Sequence, residues 1–449
     1  LTSTCERAAL SGPDAATGLN GVALSRRSSD GAGYRTYEVH QRERVGESTA
    51  LVKPGQFVAA AFAQDPYPLL ATLRENYPCY RNWLTNAYWI TRYDDVTSVF
   101  ADEANFESRP KRWAYGIGDV GYDLGHSVAV LQSYVDHVDA QVHPLAQRLV
   151  DEFTDHTRVD LATEFAARLP LELLIGWLNV PRDRADWFVE RYWTMQRGAY
   201  WEPRAQQAGR VAIEDLVVFF EPLLQERRAN PGDDLLSVVA GLETPAGHSR
   251  ALDVVITLLE WDHESLHGGL ANLLFLLLQH RQALERVRAD RRHLKFAYLE
   301  AMRHSTPVLA TQRFARHEVE RFGRLLPQGA LVVCSAAAAN RDPRAFVDPD
   351  RFVLNRKDLC QREARGQFRA DGLACGIMFG PGKPSTHPAM PEDRPRSLYA
   401  VTRDTVVAAT SVLLESTSRI ELANDTPTLR CLRLQEMHTC WELPVTIKR

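Results

Sequence analysis

The sequence predicts one large, mainly α-helical domain with small β-sheets. Three observations carry that expectation. Apolar residues recur at helical spacing over long windows through most of the chain. Strand-like runs are few and short. No flexible linker or internal repeat divides the body of the 449 residues, whose 45% hydrophobic and 24% charged composition suits a large core.

Taken in order, residues 1–48 are rich in Ser, Gly, Ala and Arg and hold no long apolar run. They are expected to form a flexible tail, not a signal peptide or an anchor, ahead of a domain spanning 49–449. Residues 68–75 form a short amphipathic helix, and the aromatic and β-branched run 87–93 a strand. Asp94 and Asp95 open the next helix at 94–101, where the helix dipole favours acids. Long helical patterns follow at 137–153, 161–178, 182–195, 205–228 and 253–280. The last is apolar over much of its surface and is expected to run through the centre as one helix. Leu331-Val332-Val333-Cys334 and the run 442–447 are strand-like.

With 53 basic against 57 acidic side chains, the formal net charge is −4. That leaves no electrostatic footprint for nucleic acid or an anionic membrane, and neither is expected as a partner. The seven cysteines are dispersed and include no C-x-x-C, which argues against a disulfide framework or zinc ribbon and for a reducing cytoplasm.

Glu300 and Arg303 stand at i, i+3 on a predicted helix, so carboxylate and guanidinium share a face. Ser305-Thr306-Pro307, Gln312-Arg313-Phe314-Ala315, Leu326-Pro327-Gln328-Gly329, Ala339-Asn340-Arg341-Asp342-Pro343 and Phe346-Val347-Asp348-Pro349-Asp350-Arg351-Phe352 follow at short intervals. This succession resembles the cytochrome P-450 superfamily in its soluble bacterial class, from Asp65-Pro66-Tyr67-Pro68 to Leu443-Pro444-Val445. The resemblance implies the cytochrome P-450 fold. It also implies a buried structural network of Glu300, Arg303 and Arg351, and a haem-propionate role for Arg313.

The sequence departs from the family at the haem site. Where the family ligand loop carries its cysteine, Phe379-Gly380-Pro381-Gly382-Lys383-Pro384-Ser385 is followed by Thr386, then His387 and Pro388. A threonine hydroxyl is far too weakly acidic to replace a thiolate. Cys375 precedes the loop's matching positions, and Pro388, Pro391 and Pro395 crowd the start of the next helix. In the central helix, Trp261 and Asp262 put bulk and charge where the family has small residues, while Glu264 and Ser265 keep its acid–alcohol pair. The family's propionate clamp would begin near His126, yet Val130 stands where its arginine belongs.

These departures lead to the expectation that no cofactor is bound, with haem the alternative, held by Arg313, His126 and His387. The expected function is a haem-free enzyme for a redox-neutral step (cyclisation, isomerisation or dehydration) on a small natural-product intermediate in antibiotic biosynthesis. Asp262, Glu264 and Ser265 are its candidate catalytic residues, and Trp261, Asp262 and Thr386 line its cavity. Two alternatives stand beside it: a non-catalytic activating partner of a glycosyltransferase, and a haem monooxygenase with unusual axial ligation. A carrier-bound intermediate is a further possible partner. His263-Glu264-Ser265-Leu266-His267 matches the zincin pattern, but no third ligand follows at a suitable spacing, and no metal is expected.

Overall fold

Some helix starts in this chain are fixed by a side-chain cap. Glu202 accepts from the amides of Arg204 and Ala205, Asp234 from Ser237, and Ser249 from Leu252. The helix beginning at Tyr93 lacks a local cap. Asp342, 249 residues away, accepts the Tyr93 amide at 2.9 Å instead. The computed structural model describes residues 51–118, 127–153, 157–199, 202–243, 249–261, 263–360, 374, 376–377, 398–423, 428–432 and 437–448.

The principal helices are α1 (Tyr67–Asn76), α2 (Tyr93–Ala101), α3 (Val128–Phe153), α4 (Arg168–Trp177), α5 (Ala185–Gly198) and α6 (Pro203–Ala229). They continue as α7 (Leu235–Gly241), α8 (Arg250–Glu260), α9 (Glu264–Gln279), α10 (Arg281–Ala289), α11 (His293–His304) and α12 (Leu398–Glu415). A 3-10 turn, Lys111–Tyr115, lies between α2 and α3. Mainly α architecture with small sheets is therefore what the chain adopts.

Three of the expected helices differ from the sequence expectation. Helix α3 starts nine residues earlier than 137, because Val130 and Val135 extend its buried seam towards the N-terminus. The pattern at 161–178 divides into a π-turn, Ala162–Ala166, and α4. The expected single helix at 253–280 is broken: Trp261 is extended (φ −80°, ψ 125°) and α9 begins afresh at Glu264. Apolar residues continue on both sides of the interruption, so periodicity carries no sign of it.

The main sheet has the order β1 (Tyr80–Asn82), β2 (Ala87–Ile90), β8 (Leu331–Cys334), β5 (Thr311–Ala315), β3 (Phe106–Glu107). Only β2 and β8 are parallel in it, with Trp89 opposite Val333; β5 runs antiparallel to β8, with Arg313 opposite Val332. A second sheet has β12 (Pro444–Lys448) between β4 (Arg158–Asp160) and β9 (Arg419–Leu422). Hairpins β6 (Val319–Arg321) with β7 (Arg324–Leu326) and β10 (Thr428–Leu432) with β11 (Met437–Glu442) complete the strands among the described residues. The run expected as one strand at 442–447 is shared between β11 and β12, because Pro444 can begin a strand but cannot donate within one.

Two large apolar cores form. One surrounds α9 with α2, α11 and α12, and α9 is buried continuously from Glu264 to Leu277. The other gathers α4 to α8. Trp261 packs on the second and Leu266 in the first, so the break in the central helix lies where the two cores meet. Among the described residues, no helix is long and apolar enough to cross a membrane.

Candidate active site

The C-terminal half of the chain builds a rigid frame. On α11, Arg303 donates from Nε and Nη2 to the two oxygens of Glu300, both at 2.8 Å. Arg356 adds Nε bonds to the same carboxylate at 3.1 and 3.2 Å, and the Val353 amide a further one at 2.9 Å. The remaining Arg303 donors reach the carbonyls of Asn340, Pro349 and Arg351. Glu300, Arg303 and Arg356 are 1%, 0% and 6% exposed, so charge burial is matched by near-complete hydrogen bonding.

Arg351, expected in this network, is not its second arginine. Its side chain is exposed and pairs loosely with Asp348 at 3.7 Å; only its carbonyl joins, accepting from Arg303 and Arg356. Sequence spacing did not separate two arginines five residues apart, and the turn after Phe352 sends the second one inward.

The frame extends to the segment ahead of the ligand-type loop. Asn340 donates to the Ile377 carbonyl at 2.5 Å and accepts the Ile377 amide at 2.6 Å. Gly376 lies against α11, where an added Cβ would stand 3.5 Å from that of Arg303. Thr386 and His387, and likewise Cys375, Asp262 and His126, lie outside the described residues.

At the break, Trp261 stacks on Trp177 of α4 (4.8 Å between centroids, 12°) and meets Tyr134 of α3 edge-on at 4.7 Å. Glu264 and Ser265 occupy the first turn of α9, both buried. His263 turns to α5, its Nδ1 in contact with the Tyr192 hydroxyl and its ring 5.1 Å from that of Trp193. His267 turns to β11, its ring 5.4 Å from Trp441. The zincin-like pair is thus directed at different elements, and among the described residues no group of three His, Cys, Asp or Glu could hold a metal. Burial pushes the His267 imidazole down to about 4. Gly268 is required where it stands, since a Cβ there would come within 2.5 Å of Pro307 Cβ.

A cap closes over the break. Glu260, the last residue of α8, accepts the amides of Lys111 at 3.1 Å and Arg112 at 3.0 Å. The other end of that turn is held from α6: Gln206 donates to the Ala114 carbonyl and Arg210 to that of Tyr115. The Tyr115 phenol inserts at Gly198 and Gly209, where α5 and α6 leave no room for a Cβ, and donates to the Met195 carbonyl. Sequence reasoning missed these cap residues; none belongs to a motif, and only the two glycines within helical patterns were visible.

Arg313 is the described cation suited to an anionic ligand. It stands on β5, an interior strand of the main sheet, with its guanidinium 4.8 Å from the Phe100 ring centroid. Its guanidinium donates to the neighbouring Gln312 carbonyl at 2.8 Å, and among the described residues no carboxylate forms an ion pair with it. Burial lowers its pKa, and the nearby Cys334 and Glu103 offset only part of that. An anion such as a haem propionate fits that environment. Helix α3 supplies no such group: it has no Lys or Arg before Arg148, and Val130 is fully buried.

No family model matches the chain. It is 32% identical over 358 residues to 6-deoxyerythronolide B hydroxylase of Saccharopolyspora erythraea, covering 72% of this chain and 85% of that protein. With Cytochrome P450 107B1 of the same organism it shares 31% over 334 residues, 66% of this chain and 80% of the relative. Its fold matches that of the cytochrome P450 PksS from the bacillaene polyketide synthase of Bacillus subtilis 168. That match has a TM-score of 0.70 at 20% identity and covers 89% of this chain and all of the other. These relatives overturn the expectation of a protein without cofactor. Cytochromes P450 are haem proteins, and haem is the group expected here.

Proposed function

This chain belongs to the cytochrome P450 family, and from that premise we propose that it is a haem-dependent oxygenase of small natural-product molecules. The observation that carries the reading is Arg313: a largely buried guanidinium with no described carboxylate partner, placed to hold an acidic group of the cofactor. Haem, when bound, supplies dioxygen activation. The chain's own residues supply the surroundings. The Glu300–Arg303–Arg356 frame and Asn340 hold Ile377, two residues before the Phe379-Gly380-Pro381-Gly382 sequence.

Glu264 and Ser265 are the proposed proton carriers. Both are buried at the start of α9, where a carboxyl can take up and release a proton and the serine hydroxyl both donates and accepts. Asp262, in the same segment, is proposed as a second acid near the substrate. Because Thr386 stands where the family has cysteine, the proposed axial donor is another residue, with His387 and Cys375 the candidates.

Haem quantitation and the carbon monoxide difference spectrum of the purified, haem-supplemented protein test this reading. Near-stoichiometric haem is the expected result, with the Soret position distinguishing imidazole from thiolate ligation and shifting in His387→Ala or Cys375→Ser. Protein that takes up no haem after reconstitution would overturn it. In the loaded enzyme, Glu264→Gln should lower turnover about 10²–10⁴-fold while substrate binding persists.

A further inference from the structure

We propose that Gln196 is a positioning residue that couples the cap to the break in the central helix. Gln196 lies on α5, 1% exposed, and its two ends face different elements. Its amide nitrogen donates to the Leu258 carbonyl at 2.9 Å, the Leu259 carbonyl at 3.3 Å and the Tyr192 hydroxyl at 3.1 Å. Its oxygen accepts from Lys111 Nζ at 3.1 Å.

The two carbonyls explain why the residue matters. In an uninterrupted helix they would take the amides four residues on, at 262 and 263. Since α8 stops at Glu260 and Trp261 is extended, they need other donors, and a buried carbonyl without one is costly. Gln196 supplies that donor from a neighbouring helix, so it stabilises the broken conformation specifically. The Tyr192 hydroxyl that accepts from Gln196 is also in contact with His263 Nδ1. Gln196 thereby also orients the residue from which α9, with Glu264 and Ser265, starts.

The cap is tied to the same side chain through Lys111, and to the same helix end through Glu260. Displacing the turn Lys111–Tyr115 removes the cation that fixes the Gln196 oxygen, and the amide can then turn away from the α8 carbonyls. Opening of the cap and straightening of the helix are one transition on this account. Its consequence for proton delivery rests on the role proposed for Glu264 and Ser265; the coupling itself does not.

Hydrogen–deuterium exchange of the purified full chain, read by mass spectrometry, tests the coupling apart from catalysis. Gln196→Leu should speed exchange about tenfold in both 258–266 and 111–116, segments well separated in sequence. Lys111→Met should speed exchange at 258–266 in the native background and add nothing further in Gln196→Leu. Gln196→Glu keeps the acceptor for Lys111 and loses the donors, so 258–266 should loosen while 111–116 stays near native. It also serves if Gln196→Leu fails to fold. Additive effects of Lys111→Met and the Gln196 variant, or exchange altered only beside each substitution, would overturn the proposal whatever the protein's activity.

Discussion

Glu300, Arg303 and Arg356 crowd three charges into one almost fully buried site, whereas Glu260, Gln196 and Lys111 join three separate elements, the turn Lys111–Tyr115, α5 and α8, through hydrogen bonds spread among them. The frame is local where it counts: its central pair is one helical turn apart, and each guanidinium makes several charge-assisted bonds. The cap is non-local throughout, bringing residues near 111, 196 and 260 together. Many bonds on few residues give a network that survives only intact. Few bonds on many elements give one that can open and close. The first suits a cofactor bed, the second a part that must admit substrate.

The contrast is most directly broken in the frame. Arg303→Ala and Arg356→Ala should each cost about 3–5 kcal/mol, because each leaves the Glu300 carboxylate buried without a full partner set. Arg351→Ala, on an exposed side chain, should cost less than about 0.5 kcal/mol. Urea unfolding midpoints of the three variants would expose an error: equal losses for Arg351 and Arg356 would mean the frame is misassigned.

His267 lies on α9 and sharpens the comparison from the side of pH. Its folded pKa of about 4 is below the ordinary 6.5, so the unfolded chain binds the proton more readily. Its contribution is present in full above about pH 6.5 and falls away as pH drops towards 4, a loss of roughly 3 kcal/mol. His267→Leu should flatten that limb of the stability–pH curve, and an unchanged slope would show that other groups set acid sensitivity. The smallest effect belongs to the cap. Glu260→Gln keeps one acceptor oxygen and should cost about 1 kcal/mol. A loss as large as that of Arg303→Ala in the same unfolding experiment would erase the distinction between the two regions.

How much could be seen in the sequence follows the same division. The frame was legible because its residues sit in short, ordered motifs: Glu300 with Arg303, Asn340 in Ala339-Asn340-Arg341-Asp342, and the Asp348-Pro349-Asp350-Arg351-Phe352 turn. Of the expected network only Arg351 is misplaced, since burial is decided by chain direction after the turn and it is Arg356 that turns inward. The cap was illegible because it depends on contacts between segments tens of residues apart, and Gln196, Glu260 and Lys111 look like ordinary helix-surface residues. The helix break was hidden for a related reason: Trp261 is apolar and keeps the hydrophobic pattern running while its backbone leaves the helix. Chemistry at the helix start was partly legible, as the acid–alcohol pair Glu264 and Ser265 shows, whereas the inference from Thr386, Trp261 with Asp262, and Val130 to an absent cofactor is overturned by the haem-binding relatives.

The stacked indoles of Trp261 and Trp177 give the molecule a label-free optical gauge. Two parallel chromophores at that separation share their electronic transitions, and the resulting near-ultraviolet circular dichroism depends steeply on the angle and distance between them. One of the pair is anchored on α4, while the other belongs to the extended residue at the break. Any ligand that straightens the central helix must swing one ring relative to the other. Binding at this site would therefore announce itself in the aromatic spectrum of the native chain, before any product is identified.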